Sequence, residues 1–154
     1  MRNVSFTGHR DIDAKKIKPV LEDTLCKLIE SGTDMFFAGG AAGFDTLAAE
    51  TVIDLRATYP WISLVLVLPC SPEEQTRSFN AAKKEAYYDI LYSADKVEYV
   101  SEHYTEGCMK LRNQRLIDYA DICVCCYDEK RSATGTGQTV RMAEKKGIDI
   151  INLF

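Results

Sequence analysis

The sequence predicts an α/β protein with a Rossmann-like, three-layer α/β/α fold and a mostly parallel sheet of about six strands. Short apolar stretches typical of strands alternate with segments of about ten to seventeen residues that have helical periodicity. The stretch at residues 62–68 is apolar nearly throughout, as in a central parallel strand covered on both faces. Right-handed crossovers then place helices on both faces of the sheet.

The composition is that of one soluble domain. The chain has 154 residues, 46% of them hydrophobic and 27% charged, without repeats or a linker, so residues 1–154 are predicted to form a single domain. With 23 acidic and 19 basic residues, the net charge of −4 argues against a generally basic nucleic-acid surface. No signal-peptide h-region or bilayer-spanning run is present, so a cytoplasmic protein with no membrane partner is expected.

The first half of the chain predicts three strands and two helices. The strands are residues 4–7, 35–38 and 62–68, and the helices are residues 14–31 and 44–57. Gly32 ends the first helix, and Gly39-Gly40 ends the second strand. Helical spacing is carried by Leu21, Leu25, Leu28 and Ile29 in the first helix and by Phe44, Leu47, Ala48, Val52 and Leu55 in the second.

The second half continues the alternation. Each segment is assigned by the same periodicities: helices at residues 78–94, 109–119 and 136–146, and strands at residues 96–100, 121–127 and 148–153.

Six cysteines are expected to be reduced thiols, because no export signal is present. Cys123, Cys125 and Cys126 formally contain a C-x-x-C pair, but they lie within a predicted strand, where Cys123 and Cys125 face one side and Cys126 the other. A redox pair normally opens a helix, and a zinc site needs more ligands. We therefore predict small buried side chains here and no metal site.

The loops that follow the strands carry the candidate chemistry, because ligands of such sheets bind outside the carboxyl ends of the strands. Gly39-Gly40 and Thr134-Gly135-Thr136-Gly137 each precede a helix. Glycines allow close backbone approach, and a helix N-terminus attracts anions, which favours a phosphate-bearing ligand. Neither loop is a Walker A or a G-x-G-x-x-G motif.

Charged side chains near these loops have two interpretations each. Arg112 and Arg115 share a helix face, where they either bind a phosphate through their guanidinium groups or form a solvated basic face. Asp45 either caps its helix or contacts a ribose hydroxyl. His9, in Thr7-Gly8-His9-Arg10, either contacts a ligand or locks its loop.

Four stretches together resemble the SLOG superfamily (SMF/DprA and LOG proteins), and more closely its standalone bacterial YpsA-like group. They are "TGHR", "FFAGGAAGFDTLAAE", "YTEGCMKLRNQRLIDYADICVCCYD" and "GTGQTVRMAEKKG", in this order across essentially the whole chain. The resemblance implies a Rossmann-like fold and a nucleotide site lined by the two glycine loops and the segment of residues 112–115.

LOG-type relatives are phosphoribohydrolases, which release a base from a nucleoside monophosphate. The resemblance makes Arg112 the one family-matched catalytic candidate. The P-G-G-x-G-T loop is not kept, and Gln138 or Thr139 stands where the LOG glutamate is expected. An amide cannot act as a carboxylate acid or base. Asp45, Glu73 or Glu74 could supply another carboxylate, and their spacing selects none of them.

The leading hypothesis is therefore a cytoplasmic binding or sensor protein for a nucleotide or nucleotide-derived ligand, with no cofactor required. The alternatives are a phosphoribohydrolase or N-glycosidase, and further a single-stranded DNA-binding protein, which the acidic balance disfavours, or an adaptor. A homo-oligomer is compatible with the sequence. The residues predicted to bind the ligand are Thr7, Gly8, His9, Arg10, Gly39, Gly40, Asp45, Arg112, Asn113, Arg115, Thr134, Gly135, Thr136, Gly137 and Thr139.

Overall fold

A computed structural model describes residues 2–154 and contains one six-stranded, fully parallel sheet. The strand order is β4-β3-β2-β1-β5-β6, so the predicted α/β class with about six parallel strands is confirmed. The strands are β1 (Asn3–Gly8), β2 (Met35–Ala38), β3 (Ser63–Leu68), β4 (Lys96–Tyr99), β5 (Ile122–Cys126) and β6 (Asp149–Asn152).

Helices cover both faces of the sheet. They are α1 (Ala14–Glu30), α2 (Phe44–Leu55), α3 (Pro72–Gln75), α4 (Ala81–Ser93), α5 (Cys108–Tyr119) and α6 (Gly135–Lys146), with a 3-10 turn at Glu129–Arg131. Among residues 2–154, no helix combines the length and the apolar character that crossing a bilayer requires.

The core is divided by the sheet. One face packs against α1, α2 and α4, with Phe6, Phe36 and Leu64 among its fully buried side chains. The other face packs against α5 and α6. Cys126 belongs to the first face, whereas Cys123 and Cys125 pack on the second, so the predicted alternation of buried thiols along β5 is confirmed.

The predicted helix at residues 78–94 is wrong in its first part. Ser71 and Pro72 start the short helix α3, and Thr76 ends it. A new helix begins only at Ala81, because the Asn80 side chain accepts a hydrogen bond from the Lys83 amide at 2.9 Å and caps it. The remaining predicted elements differ from the structure by one or two residues at their ends.

The topology creates one reversal of strand order. From β1 the chain proceeds outward through β2 and β3 to β4, and it then crosses back to add β5 and β6 on the other side of β1. The reversal lies between β1 and β5, where Gly8 is paired with Cys126. In an open parallel sheet this is the position at which a ligand crevice forms.

Candidate functional site

A cavity of about 370 Å³ opens at the carboxyl ends of β1 and β5, and we call it the switch-point cavity. Small-molecule sites usually occupy ~300–1,000 Å³, so its size suits a small ligand. Loops from several elements meet here because all the strands are parallel. The lining residues are Phe6, Thr7, Gly8, His9, Arg10, Ala41, Asp45, Met109, Arg112, Asn113, Leu116, Arg131, Thr134, Gly135 and Thr136.

Arg112 places a buried cation against this cavity. Its side chain is only 5% exposed. Nη1 donates to the Gly39 carbonyl, Nε donates to Asn113 Oδ1 at 2.8 Å, and Nη2 lies 4.0 Å from Met109 Sδ. Among the ion pairs within residues 2–154, none includes Arg112. Burial lowers the pKa of Arg112, and the charge of Asp45 in the same cavity opposes this effect. A buried guanidinium is costly unless charges or hydrogen bonds compensate it.

Gly39 contributes to the site through its backbone. A Cβ atom at this position would lie 2.8 Å from Arg112 Nη1, so a larger residue there would displace the guanidinium from the end of β2. The glycine loop thereby fixes the position of Arg112 instead of lining the cavity itself.

Asn113 adds a neutral donor beside Arg112. The residue is 8% exposed, and its Oδ1 atom is occupied by Arg112 Nε. Its Nδ2 atom makes no hydrogen bond to residues 2–154 and lies 3.9 Å from where a Cβ at Gly135 would be. The free amide group therefore faces the start of α6.

The N-terminus of α6 forms the opposite side of this corner. Thr134 caps the helix: its Oγ1 accepts from the Gly137 amide at 3.2 Å and donates to the Arg131 carbonyl at 2.7 Å. The amides of Gly135 and Thr136, in the first helical turn, have no partner within the helix. Together with the partial positive charge of the helix end, Arg112, Asn113, Gly135 and Thr136 form what we call the anion corner.

Gly137 controls the shape of this corner, although it lies outside the cavity. A Cβ atom at residue 137 would overlap the Ser132 carbonyl oxygen, which is a backbone atom. We expect Gly137→Ala to lower the free energy of unfolding by about 1–3 kcal/mol, as overpacking usually does. Gly135→Ala is the matched control, because the nearest atom there is 3.9 Å away. Urea denaturation of both variants measures the difference, and equal stabilities would contradict the packing described here.

Asp45 brings a carboxyl group to the same cavity. It lies in the first turn of α2, is 6% exposed, and its Oδ2 accepts from the Ala41 amide at 3.3 Å. Burial raises the pKa of Asp45 to about 6, against the opposing effects of Arg112 and Arg10. Gly43, not Asp45, is the capping residue of α2, so this carboxyl group holds the preceding loop. Its pKa lies close to the range in which a group exchanges protons near neutrality.

His9 joins the loops on the two sides of the reversal. Its Nε2 accepts from the Asp128 amide at 3.0 Å, its backbone amide donates to the Cys126 carbonyl at 3.3 Å, and its carbonyl accepts from the Phe44 amide at 3.1 Å. Burial, followed by the charge of Arg131, lowers the pKa of His9. The geometry is that of a neutral histidine locking a loop, which was one of its two interpretations.

Nearly the whole chain matches one protein-family model. The YpsA family model, described as the YspA SLOG family, matches residues 3–152. The chain belongs to the YspA SLOG family.

Relatives with similar sequences are UPF0398 proteins. UPF0398 protein BH1768 of Halalkalibacterium halodurans is 34% identical over 126 residues, which are 80% of this chain and 65% of the relative. A UPF0398 protein of Bacillus pumilus is 31% identical over 146 residues, covering 87% of this chain and 77% of the relative. In the Halalkalibacterium protein the matched part is therefore slightly less than two thirds of the relative's length.

A solved structure supports the fold of the SLOG domain. The X-ray structure of the structural-genomics target TM1055 superimposes with a TM-score of 0.62 and covers 97% of this chain and 72% of that one. The sequence identity of 16% limits this likeness to the architecture.

Five of the predicted ligand residues of this SLOG domain lie outside the walls of the switch-point cavity. Arg115 is half-buried on the side of α5 that faces Glu98. Thr139 donates its hydroxyl to the Gly135 carbonyl at 2.8 Å, and Gly40 packs against Leu68. Gly39 and Gly137 act through the backbone contacts described above.

The three candidate carboxyl groups, of Asp45, Glu73 and Glu74, lie in different places in the structure. Asp45 lines the switch-point cavity. Glu74 lines an adjoining cavity, and Glu73 is exposed on α3. Gln138, one of the two residues at the position of the LOG glutamate, faces a groove between α5 and α6 instead.

Arg131 and Met109 line the cavity but were not among the predicted residues. Arg131 Nη1 pairs with Asp11 Oδ1 at 2.8 Å across the loops after β1 and β5. A cation just before the glycine-rich start of a helix, as in "DEKRSATGTG", is the signal that could have identified Arg131. Nothing in the sequence distinguishes Met109 from a core methionine.

Proposed function

We propose that this SLOG protein is a binding or sensor protein for a nucleotide or nucleotide-derived ligand, whose phosphate lies in the anion corner of the switch-point cavity. The observation that carries the proposal is Arg112, a guanidinium that is 5% exposed and has no ion partner among residues 2–154. A phosphate would add its negative charge to that of the ionised Asp45, which acts on Arg112 from the same cavity, and would accept charge-assisted hydrogen bonds.

The other donors of the corner support the same ligand class. Asn113 and the first residues of α6, Gly135 and Thr136, line the same cavity as Arg112, and Asn113 Nδ2 lies beside Gly135. Backbone amides at a helix start combined with an arginine fork match the oxygens of a phosphate. Membership of the SLOG family adds support for a nucleotide-type ligand.

Isothermal titration calorimetry with a defined panel tests the proposal. The panel contains AMP, GMP, CMP, UMP, NAD, ADP-ribose, ribose 5-phosphate and adenosine, the last as an unphosphorylated control. We expect at least one phosphorylated compound to bind with one site per chain, and adenosine to bind at least about tenfold more weakly than AMP, which is about 1.4 kcal/mol. If none of the phosphorylated compounds binds, the proposal fails.

A second candidate function is an N-glycosidase that releases a base from such a ligand. It is favoured by Asp45, because burial raises the pKa of this carboxyl group to about 6 and the group lines the same cavity as Arg112. A carboxyl group in this position could assist departure of a base or activate a water. Chromatography of the incubated panel detects a released base, and loss of that release in Asp45→Asn would favour turnover over simple binding.

A further inference from the structure

A second cavity of about 150 Å³ adjoins the switch-point cavity. The two share Arg10, Ala41 and Met109 in their walls, so one ligand could occupy both. The adjoining cavity lies over the carboxyl end of β3. Its other lining residues are Pro69, Cys70, Glu74, Gln75, Ser78, Phe79 and Tyr104.

Two aromatic rings distinguish this adjoining cavity from the anion corner. Phe79 packs edge-to-face on Tyr87, with ring centroids 6.0 Å apart. The Tyr87 hydroxyl donates to Gln75 Oε1 at 2.7 Å, and Gln75 Nε2 donates to the Gly39 carbonyl at 3.3 Å. The Phe79 wall is thus tied by hydrogen bonds to the loop that positions Arg112.

Tyr104 forms the outer wall and is held through its backbone. Its amide donates to Glu74 Oε2, while Glu74 Oε1 lies 3.4 Å from His103 Nδ1. Tyr104 as a whole is 61% exposed. A backbone anchored by a carboxylate keeps an exposed aromatic side chain at the mouth of a cavity, where it can cover a planar group.

We propose that the adjoining cavity is the subsite for a planar aromatic ring, which stacks on Tyr104 and Phe79 while the phosphate of the same ligand lies in the anion corner. This inference rests on the proposed function and specifies which end of the ligand lies where. Arg10 is exposed at the junction of the two cavities and makes no ion pair with residues 2–154, so it faces the linking group of such a ligand.

The opposite orientation is disfavoured by hydrogen bonding. Each cavity has a carboxyl group in its wall, Glu74 in the adjoining cavity and Asp45 in the switch-point cavity, so charge alone does not decide the orientation. A ring in the anion corner would cover the donors of Arg112 and Asn113 without offering each an acceptor, and buried donors without acceptors are costly. Aromatic stacking, by contrast, needs no specific hydrogen bond and accepts any planar ring.

The test compares each nucleoside 5′-monophosphate with ribose 5-phosphate, which keeps the phosphate and sugar but lacks the ring. Titration calorimetry measures both dissociation constants for the unaltered protein and for Tyr104→Ala, Tyr104→Phe and Phe79→Leu. Tyr92→Ala is the matched control, because Tyr92 is 88% exposed on α4 and lines neither cavity.

We expect the best nucleotide to bind about tenfold or more tightly than ribose 5-phosphate, in keeping with the strength of base stacking. Tyr104→Ala should remove most of this ratio and leave the affinity for ribose 5-phosphate unchanged, whereas Tyr104→Phe and Tyr92→Ala should preserve the ratio. Phe79→Leu should reduce it.

Two results would overturn this inference but not the proposed function. One is binding of ribose 5-phosphate as tight as that of every nucleotide. The other is a nucleotide preference that survives both Tyr104→Ala and Phe79→Leu. In either case the phosphate still binds and the proposed function stands, whereas failure of all phosphorylated probes overturns both.

Discussion

Replacing Arg112 by methionine is expected to weaken binding of the phosphorylated ligand about 100-fold or more while the protein still folds. The guanidinium would otherwise make charge-assisted hydrogen bonds worth about 1.5–3 kcal/mol each, and 1.4 kcal/mol corresponds to a factor of ten. Lysine is not an equivalent replacement, because it has no planar fork to reach both the Gly39 carbonyl and a phosphate.

The stability of Arg112→Met separates a binding role from a structural one. Methionine of similar length removes the cost of burying the guanidinium, but it also removes the positive charge that favours the ionised Asp45 carboxylate. We expect the variant's thermal midpoint at pH 5, where Asp45 is mainly protonated, to be close to that of the unaltered protein when no ligand is present. Added nucleotide should raise the midpoint of the unaltered protein and leave that of the variant unchanged.

Arg115→Met is the matched control for this experiment. Arg115 has the same side chain, lies on the same helix and faces Glu98 outside the switch-point cavity. Its loss should change the dissociation constant by less than about threefold, well under 1.4 kcal/mol. Equal losses of affinity in the two variants would mean that general positive charge on α5, not the anion corner, attracts the ligand.

The different positions of these two arginines show what sequence patterns can predict. Parallel strands bring their carboxyl ends to one edge, so the convergence of Gly8, Arg112 and Gly135 follows from the alternation of elements alone. Residues three apart on a helix differ by about 60° in direction, and this is enough to send Arg112 inward and Arg115 toward β4. The rotation of α5 is fixed in part by Leu116, which packs with Phe37, Val65 and Val67 from distant parts of the chain.

Sequence patterns also do not predict which carboxyl group lies in the switch-point cavity or where α4 begins. Asp45 and Glu74 both follow strand ends, and only the order of β3, β2 and β1 places Asp45 beside Arg112. The break before α4 depends on Asn80 accepting from the Lys83 amide, a local cap that a continuous helical pattern at residues 78–94 conceals. Cap chemistry and side-chain burial decide these details, whereas periodicity decides the order of elements.

Asp45→Asn is expected to stabilise the folded protein at neutral pH. The pKa of Asp45 is raised to about 6 in the folded state, above its ordinary value of 3.8, because the carboxyl group is buried. Between these two values the folded state retains a proton that the unfolded state has lost, so the free energy of unfolding falls as the pH rises. At about 1.4 kcal/mol per pKa unit, the ionised carboxylate lowers stability by about 3 kcal/mol above pH 6.

Urea denaturation between pH 4 and pH 8 measures this effect as a difference between the two proteins. Near pH 4 Asp45→Asn and the unaltered protein should differ little, and above pH 6 the variant should be more stable by up to about 3 kcal/mol. Glu22→Gln is the control, because Glu22 is exposed on α1 and lines neither cavity, so its curve should run parallel to that of the unaltered protein. Parallel curves for Asp45→Asn and the unaltered protein would show that the carboxyl group is not buried as described.

A stabilising Asp45→Asn variant would also bear on the choice between binding and turnover. The charges of Arg112 and Arg10 favour the ionised carboxylate, but the effect of burial on the pKa of Asp45 is larger. An ionised Asp45 therefore lowers the stability of the folded protein. A group that lowers stability at working pH and borders a cavity is typical of a position kept for chemistry.

If Asp45→Asn binds the nucleotide at least as well but no longer releases a base, Asp45 acts on the ligand. The other outcome is that neither protein releases a base and that Asp45→Asn is more stable and binds the nucleotide more tightly. That result favours a binding or sensor protein, in which the negative charge of Asp45 limits the affinity of the cavity for phosphate.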